Sequence, residues 1–178
     1  ELIGTVATNT FLASAAGGIS TMFYTYFRYG QIDITMTING VLAGLVAITA
    51  GCNVVGPNAA IIIGLIAGVL VDIAVLYIDK LKIDDPVGAI AVHGVNGFFG
   101  ALAVGLFATD GGLFFGGGTA MLATQALGVL VIGAFGFVFT FILMKIMQKT
   151  VGIRISKVEE SAGIDAVSFG VEAYSTFE

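Results

Sequence analysis

Apolar residues occur along this chain in long, uninterrupted runs rather than at alternating positions. A helix needs about twenty predominantly apolar residues to cross the hydrocarbon core of a bilayer. Strands that cross a membrane are shorter and alternate apolar with polar residues, which these runs do not. The runs therefore predict five membrane-spanning helices, at about residues 2–27, 34–54, 58–81, 86–108 and 119–147.

Polar or glycine-rich segments separate the predicted spans, and the composition turns polar after residue 151. We therefore expect an all-α, polytopic transmembrane helix bundle over residues 1–151, followed by a C-terminal tail over residues 152–178. The chain begins at Glu1 without an initiator methionine or a basic segment before its first apolar run, which is not the pattern of a signal peptide. On this ground we expect it to be part of a longer chain.

The composition narrows the class of protein further. Of the 178 residues, 57% are hydrophobic and 11% are charged, whereas a soluble domain carries about 25% charged residues. Seven Lys and Arg residues stand against twelve Asp and Glu residues, so the chain lacks the basic face that a nucleic-acid binder needs. The single cysteine, Cys52, excludes an internal disulfide and a cysteine-based metal site. We expect a lipid bilayer as the partner, and neither a cofactor nor a metal.

All seven basic residues fall on one side of the predicted membrane, at or just after the ends of spans one, three and five. They are Arg28, Lys80, Lys82, Lys145, Lys149, Arg154 and Lys157. Because cytoplasmic segments are enriched in Lys and Arg, we expect that side, and the C-terminal tail with it, to be cytoplasmic in a cell membrane. Span one then begins outside, which again favours earlier spans before it.

Small residues spaced by four occur within the predicted spans. Gly40 and Gly44 lie in span two, and Gly64 and Gly68 lie in span three. Such spacing lets membrane helices approach closely, so we expect these glycines to serve bundle packing. Span four carries a similar row, and this row predicts that His93 faces the bundle interior. The row consists of Ala89, His93, Gly97, Ala101 and Gly105.

Two ionisable residues lie well inside the predicted spans, where charged groups are costly and commonly functional. His93 lies eight residues beyond Asp85, about 12 Å along the helix and therefore near mid-membrane. Its neutral imidazole offers one donor and one acceptor and can pass on a proton. The alternative is a packing role, with the imidazole bonded across two helices. Asp72 lies near the middle of span three, in the row of Gly64 and Gly68.

Asp72 and His93 have nearly the same predicted depth in the membrane. Asp72 precedes Ile83, in the link between spans three and four, by eleven residues, and His93 follows it by ten. At 1.5 Å per residue their depths differ by no more than ~2 Å. A buried carboxylate must be paired, hydrogen-bonded or neutral, so we expect Asp72 to have a polar partner within the bundle. His93 is one candidate partner; a backbone carbonyl and other spans are the alternatives.

The segment Asp84-Asp85-Pro86 precedes span four and has the composition of a helix start. Carboxylates cap helix N-termini and are favoured by the helix dipole, and proline suits the first helical turn. We therefore expect Asp85 to be the N-cap of span four, with a structural role near the site of His93. A direct functional role of this carboxylate is the alternative.

Intramembrane proteases also carry polar residues within their spans, so this enzyme class is the one to test. However, Ser20 is followed by Thr21 rather than by the glycine of an intramembrane serine-protease motif. Asp72 lacks the Gly-x-Gly that precedes the aspartate of an intramembrane aspartyl protease. We therefore expect no enzyme activity.

The stretch from Lys80 to Gly97, with the pattern D-D-P-x6-H-G-V-x-G, resembles the ammonium transporter (Amt/Mep) family. The segments AGLVAITAGC and AIIIG in spans two and three match the same family. The tail resembles the C-terminal region of the family in GIRIS, in GID and in Ala173-Tyr174. The resemblance covers essentially the whole chain and corresponds to the last five of the family's eleven spans.

The resemblance implies transport of ammonium or ammonia through a narrow hydrophobic pore, in half of an inverted-repeat transporter fold. It implies a homotrimer with one pore in each subunit. His93 matches the second of two pore histidines of the family, and Asp85 matches an aspartate held important for structure. In many members the C-terminal region meets a PII-type signal protein on the cytoplasmic face. The alternative function is that of a non-transporting ammonium sensor or a structural membrane subunit of the same fold.

Overall fold

The computed structural model of the chain describes residues 1–171. Ala173 and Tyr174, which contribute to the family resemblance, lie outside the described residues, as does the end of the predicted tail. Two compact units are present, Glu1–Ile132 and Gly133–Glu178.

The described chain is helical, which confirms the all-α fold class. Within residues 1–171, β-type backbone pairing is limited to one isolated antiparallel bridge between Val55 and Ala108. The described α-helices are α1 (Leu2–Tyr29), α2 (Ile34–Thr49), α3 (Pro57–Lys80), α4 (Asn96–Phe107), α5 (Ala120–Thr150) and α6 (Lys157–Ala162). Shorter helical segments are the π-helical turns Ile90–Val95 and Asp165–Phe169 and the 3-10 turn Leu113–Phe115.

Within residues 1–171, four helical stretches are long and apolar enough to cross a membrane. They are α1, α3, α5, and the continuous stretch Ile90–Phe107 formed by the first π-helical turn and α4. α2 is apolar but shorter. The bounds of α1, α3 and α5 agree with the predicted spans to within three residues, because the polar connections that end these helices are evident in the sequence.

Local sequence explains where the first three helices begin and end. α1 ends at Gly30, whose φ of 76° is the left-handed conformation that glycine adopts readily. Asp33 then caps α2, because its side chain accepts a hydrogen bond from the backbone N–H of Met36 at 2.9 Å. α3 begins with Pro57 at a first-turn position, where the missing N–H is tolerated.

The predicted second span, residues 34–54, is too long. α2 ends after sixteen residues, at Thr49, and the chain then turns before α3. The buried amide of Asn9 holds this turn, because its Nδ2 donates to the carbonyl oxygens of Cys52 at 2.9 Å and Val55 at 2.8 Å. The turn is as apolar as the helix before it, so hydropathy did not predict where the helix ends.

The predicted fourth span, residues 86–108, begins too early. Pro86 lies in a turn, Gly88 has a left-handed φ of 71°, and regular hydrogen bonding begins near Ile90. The row of small residues predicted to face inward is wrong as well: of its five members only Gly105 is buried. A π-helical turn holds more residues than an α-turn, so the four-residue spacing does not continue along one face through this segment.

The glycines spaced by four do pack α2 and α3 against α1, as the sequence predicted. A methyl group at any of the four positions would overlap with α1, where the nearest atoms belong to Ala13, Ser20 and Thr21. The Thr21 hydroxyl also donates to the carbonyl oxygen of Gly68 at 2.8 Å. Small side chains therefore let three helices meet at backbone contact.

The second unit contains a locally capped helix. The N–H of Glu159 donates to Ser156 Oγ at 3.3 Å, and the N–H of Ser156 donates to a Glu159 carboxylate oxygen at 2.9 Å. Hydrogen bonds with Ser156 hold the pKa of the Glu159 carboxyl below its usual range. The bond with the Ser156 hydroxyl contributes more than the bond with the Ser156 backbone N–H. Glu160 forms an exposed ion pair with Arg154 at 3.2 Å. Both carboxylates thus take part in local structure.

The glycine contacts predict a position-dependent cost of adding one methyl group. Gly64→Ala should destabilise the protein by about 1–3 kcal/mol, because its Cβ would overlap with the backbone of Ala13 and force two helices apart. Gly128→Ala is the matched control, since a Cβ there has no atom within 4 Å. Thermal unfolding in detergent measures both variants, and an equal effect at the two positions would contradict this packing role.

Candidate functional site

His93 lies within the π-helical turn Ile90–Val95, which runs directly into α4. Its side chain is exposed, whereas Val92 and Asn96 on either side of it are buried. His93 is therefore not enclosed by the helices of the first unit. The imidazole lies on the outward face of the first unit, on the same helix as the exposed apolar side chains of Ile90 and Phe98.

A buried amide stabilises the π-helical turn that carries His93. Asn96 is fully buried, and its Nδ2 donates to the carbonyl oxygen of Ala91 at 3.0 Å. The backbone N–H of Asn96 bonds to the carbonyls of Ala91 and His93. Short π-helical turns within α-helices occur frequently at functional sites. Sequence reasoning missed this feature, although an asparagine three residues after an intramembrane histidine could have drawn attention to it.

Asp85 closes the start of the same segment. Its carboxylate accepts a hydrogen bond from the backbone N–H of Ile90 at 3.0 Å, and its carbonyl accepts one from Gly88 at 3.0 Å. The carboxylate thus accepts a backbone N–H at the helix start, as a capping side chain does. Asp85 lies five residues before its donor, whereas an N-cap residue lies two or three residues before it. The intervening loop contacts α2, where Asn39 Nδ2 donates to the carbonyl of Val87 at 3.4 Å.

Asp72 is buried in α3, with 4% of its surface exposed. It makes no hydrogen bond or ion pair with His93 among the described residues, so the proposed direct pair is wrong. Carboxylate oxygen Oδ2 of Asp72 has no hydrogen-bond partner in this part of the chain. The nearby Thr21 hydroxyl instead donates to the Gly68 carbonyl. Position along the helices could not fix which faces meet.

The site has the chemistry of a polar ring on an apolar helix. A neutral imidazole can accept a hydrogen bond from a donor at one nitrogen and donate from the other. Within residues 1–171 no group of three or more His, Cys, Asp or Glu side chains lies close enough together to hold a metal ion. What the arrangement supports is therefore hydrogen bonding to a small polar species at an apolar helix surface.

Fold and site together define a polytopic α-helical membrane protein that presents a histidine from a distorted helix. A family model described as the Ammonium Transporter Family matches residues 2–174. The chain belongs to the ammonium transporter family, and its family members are not enzymes. The sequence resemblance to this family is thereby confirmed.

Individual relatives agree with the family match. The chain is 39% identical to ammonium transporter Amt2 of Archaeoglobus fulgidus, over 98% of this chain and 40% of the relative. It is 34% identical to ammonium transporter 1 member 1 of Arabidopsis thaliana, over 99% of this chain and 38% of the relative. The chain thus spans about 40% of the length of these curated relatives.

Solved structures with the same fold include two that cover most of the chain. One is titled "Sensor Amt Protein", with a TM-score of 0.85 and 41% identity over 93% of this chain and 42% of that one. Another is the crystal structure of Candida albicans Mep2, with a TM-score of 0.81 and 31% identity over 87% of this chain and 37% of that one.

The role of Asn96 leads to a stability prediction. Asn96→Ala should lower stability by about 1–2 kcal/mol, because it removes a buried hydrogen bond to Ala91 and leaves space behind. Thr49→Ala is the control, since the exposed Thr49 hydroxyl bonds only to the carbonyl of Leu45 in its own helix. Thermal unfolding in detergent measures both, and an unchanged midpoint for Asn96→Ala would show that the π-helical turn does not need this amide.

Proposed function

We propose that this chain is part of an ammonium transporter and that His93 lines the path of ammonium or ammonia across the membrane. The observation that carries the proposal is the exposed imidazole on a π-helical turn, in a chain of the ammonium transporter family. Relatives that cover nearly the whole chain are named ammonium transporters. The match of His93 to a pore histidine of the family supports the same role.

The exposure of His93 supports a path completed by residues outside the first unit. An imidazole at mid-membrane depth on an apolar helix would be costly against lipid. A second protein surface facing His93 would remove that cost and would leave a narrow apolar passage with a single polar ring. In such a passage the neutral imidazole accepts a hydrogen bond from the N–H of the transported species, or donates one to the nitrogen lone pair of ammonia. Asp85 acts here as a positioning residue, since it holds the first N–H of the segment that carries His93.

The oligomeric state and the signalling partner are further parts of this proposal. No residue in the membrane-spanning window of α5 is buried within the described chain, which supports packing of this helix against lipid or another subunit. The family resemblance favours a homotrimer, and it favours contact of the C-terminal region with a PII-type signal protein. Cross-linking in native membranes tests the trimer, and co-purification of a PII-type protein tests that partner.

Replacement of His93 tests the transport proposal directly. His93→Ala should reduce ammonium-driven pH change in proteoliposomes by about tenfold or more, equivalent to at least ~1.4 kcal/mol of barrier. The reason is that alanine offers no hydrogen-bonding group in an apolar path. Thr124→Ala is the matched control, because Thr124 is exposed in another membrane helix and bonds only to its own backbone at Ala120.

Three results of this experiment have distinct meanings. Loss of conduction with unchanged oligomer yield supports the pore role of His93. Unchanged conduction and selectivity would place His93 with the alternative packing role. Saturable ammonium binding without conduction, in the unmodified protein, would favour an ammonium sensor over a transporter.

The proposed orientation is tested separately. The positive-inside rule places Arg28, in the last turn of α1, in the cytoplasm and Asp110, after α4, outside. With Cys52 replaced, an impermeant thiol reagent added to intact cells should label Asp110→Cys and leave Arg28→Cys unlabelled. Permeabilised cells serve as the control, because both positions should then react. Labelling of Arg28→Cys in intact cells would reverse the orientation.

A further inference from the structure

A cavity of about 320 Å³ opens beside the buried carboxylate of Asp72. It lies between the end of α1, the loop that leads into α2, and α3. Its polar and apolar lining residues are Tyr29, Gln31, Asp33, Met36, Asp72, Val75 and Leu76. Neither His93 nor Asp85 is among them, so this cavity is distinct from the site described above.

Asp72 lines this cavity and carries a buried carboxylate oxygen without a hydrogen-bond partner. Only 4% of the residue is exposed, and its Oδ2 lacks a hydrogen-bond partner among the described residues. No Lys, Arg or His side chain in residues 1–171 comes within the 4.0 Å of an ion pair with it. A buried ionised carboxylate without a partner is strongly disfavoured, so Asp72 requires a proton, a hydrogen-bond donor or a cation.

The opposite wall of the cavity carries a second carboxylate. Asp33 uses one oxygen, Oδ1, to accept the hydrogen bond that caps α2 at Met36. Asp33 and Asp72 line the same cavity. The side-chain amide of Gln31 and the phenol of Tyr29 supply two more oxygens around the same space. Four oxygen-bearing side chains thus surround a cavity with no basic residue in its lining.

We propose that this cavity binds one small monovalent cation between the carboxylates of Asp72 and Asp33. Ammonium, sodium and potassium share the required chemistry, because each is a monocation that oxygen atoms can surround. A divalent metal serves as the comparison, because no group of three or more metal-binding side chains occurs among the described residues. The site does not depend on the proposed role of His93, because binding here requires no conduction.

Thermal unfolding of the purified protein, in the length its gene encodes, tests the site. Chlorides of ammonium, sodium and potassium are compared with N-methylglucamine chloride at constant ionic strength. Binding to the folded state should raise the midpoint saturably by ~3 °C or more with at least one of the three small cations. The response of each salt identifies which cation the site prefers, and magnesium chloride is the divalent comparison.

Two variants assign the effect to the cavity. Asp72→Asn should abolish the cation-dependent shift, because it keeps the shape of the side chain and removes its charge. Asp79→Asn is the matched control on the same helix, since Asp79 is exposed and does not line the cavity; it should keep the shift. Asp33→Asn should weaken the shift while preserving the helix cap, which asparagine also forms. If Asp72→Asn does not fold, this variant tests whether the cation binds in the cavity.

Three results would overturn the proposal. The midpoint could be equal in all monovalent salts, which would leave Asp72 as a protonated, cation-free group. The shift could persist in folded Asp72→Asn, which would place the bound cation elsewhere. A shift with magnesium alone would mean that the cavity is a divalent site. None of these results bears on transport, so failure here is distinguishable from failure of the His93 proposal.

Discussion

The first unit depends on backbone-to-backbone contact between α1 and its two neighbours. Without water, apolar surface gives membrane helices no reason to associate, so close packing and interhelical hydrogen bonds must hold them together. Ala13 of α1 meets both Gly44 and Gly64, and Thr21 bonds to the backbone of Gly68. This contact fixes the faces of α2 and α3, and these helices in turn position the π-helical turn and the cavity beside Asp72.

Buried polar side chains then fix local backbone conformations that hydropathy does not predict. Asn9 bonds to the chain beyond α2 and stabilises a turn where the sequence is still apolar. Asn96 bonds to Ala91 and stabilises the widened turn that exposes His93. In an apolar medium an unpaired carbonyl is expensive, so one amide donor suffices to select a local conformation that differs from a regular helix.

His93 and Asp72 show two ways in which an intramembrane ionisable group is accommodated. His93 is a ring that can remain neutral, and it is exposed on the first unit. Asp72 is enclosed, with one oxygen unsatisfied and a polar cavity beside it. The first arrangement suits hydrogen bonding to a passing molecule, and the second suits a fixed partner. The proposals for pore and cation site follow from this difference in enclosure.

The sequence by itself determined the helical class, the bounds of α1, α3 and α5, the glycine packing and the family, because length, polarity and residue spacing act locally along the chain. It also located His93, Asp72 and Asp85 as the polar groups of interest. Only the tertiary structure decided where α2 ends, how the segment before α4 widens, and which faces His93 and Asp72 present. These features depend on hydrogen bonds such as that from Asn9 to Val55, whose partners lie 46 residues apart. No local pattern encodes a contact between residues so distant in the chain.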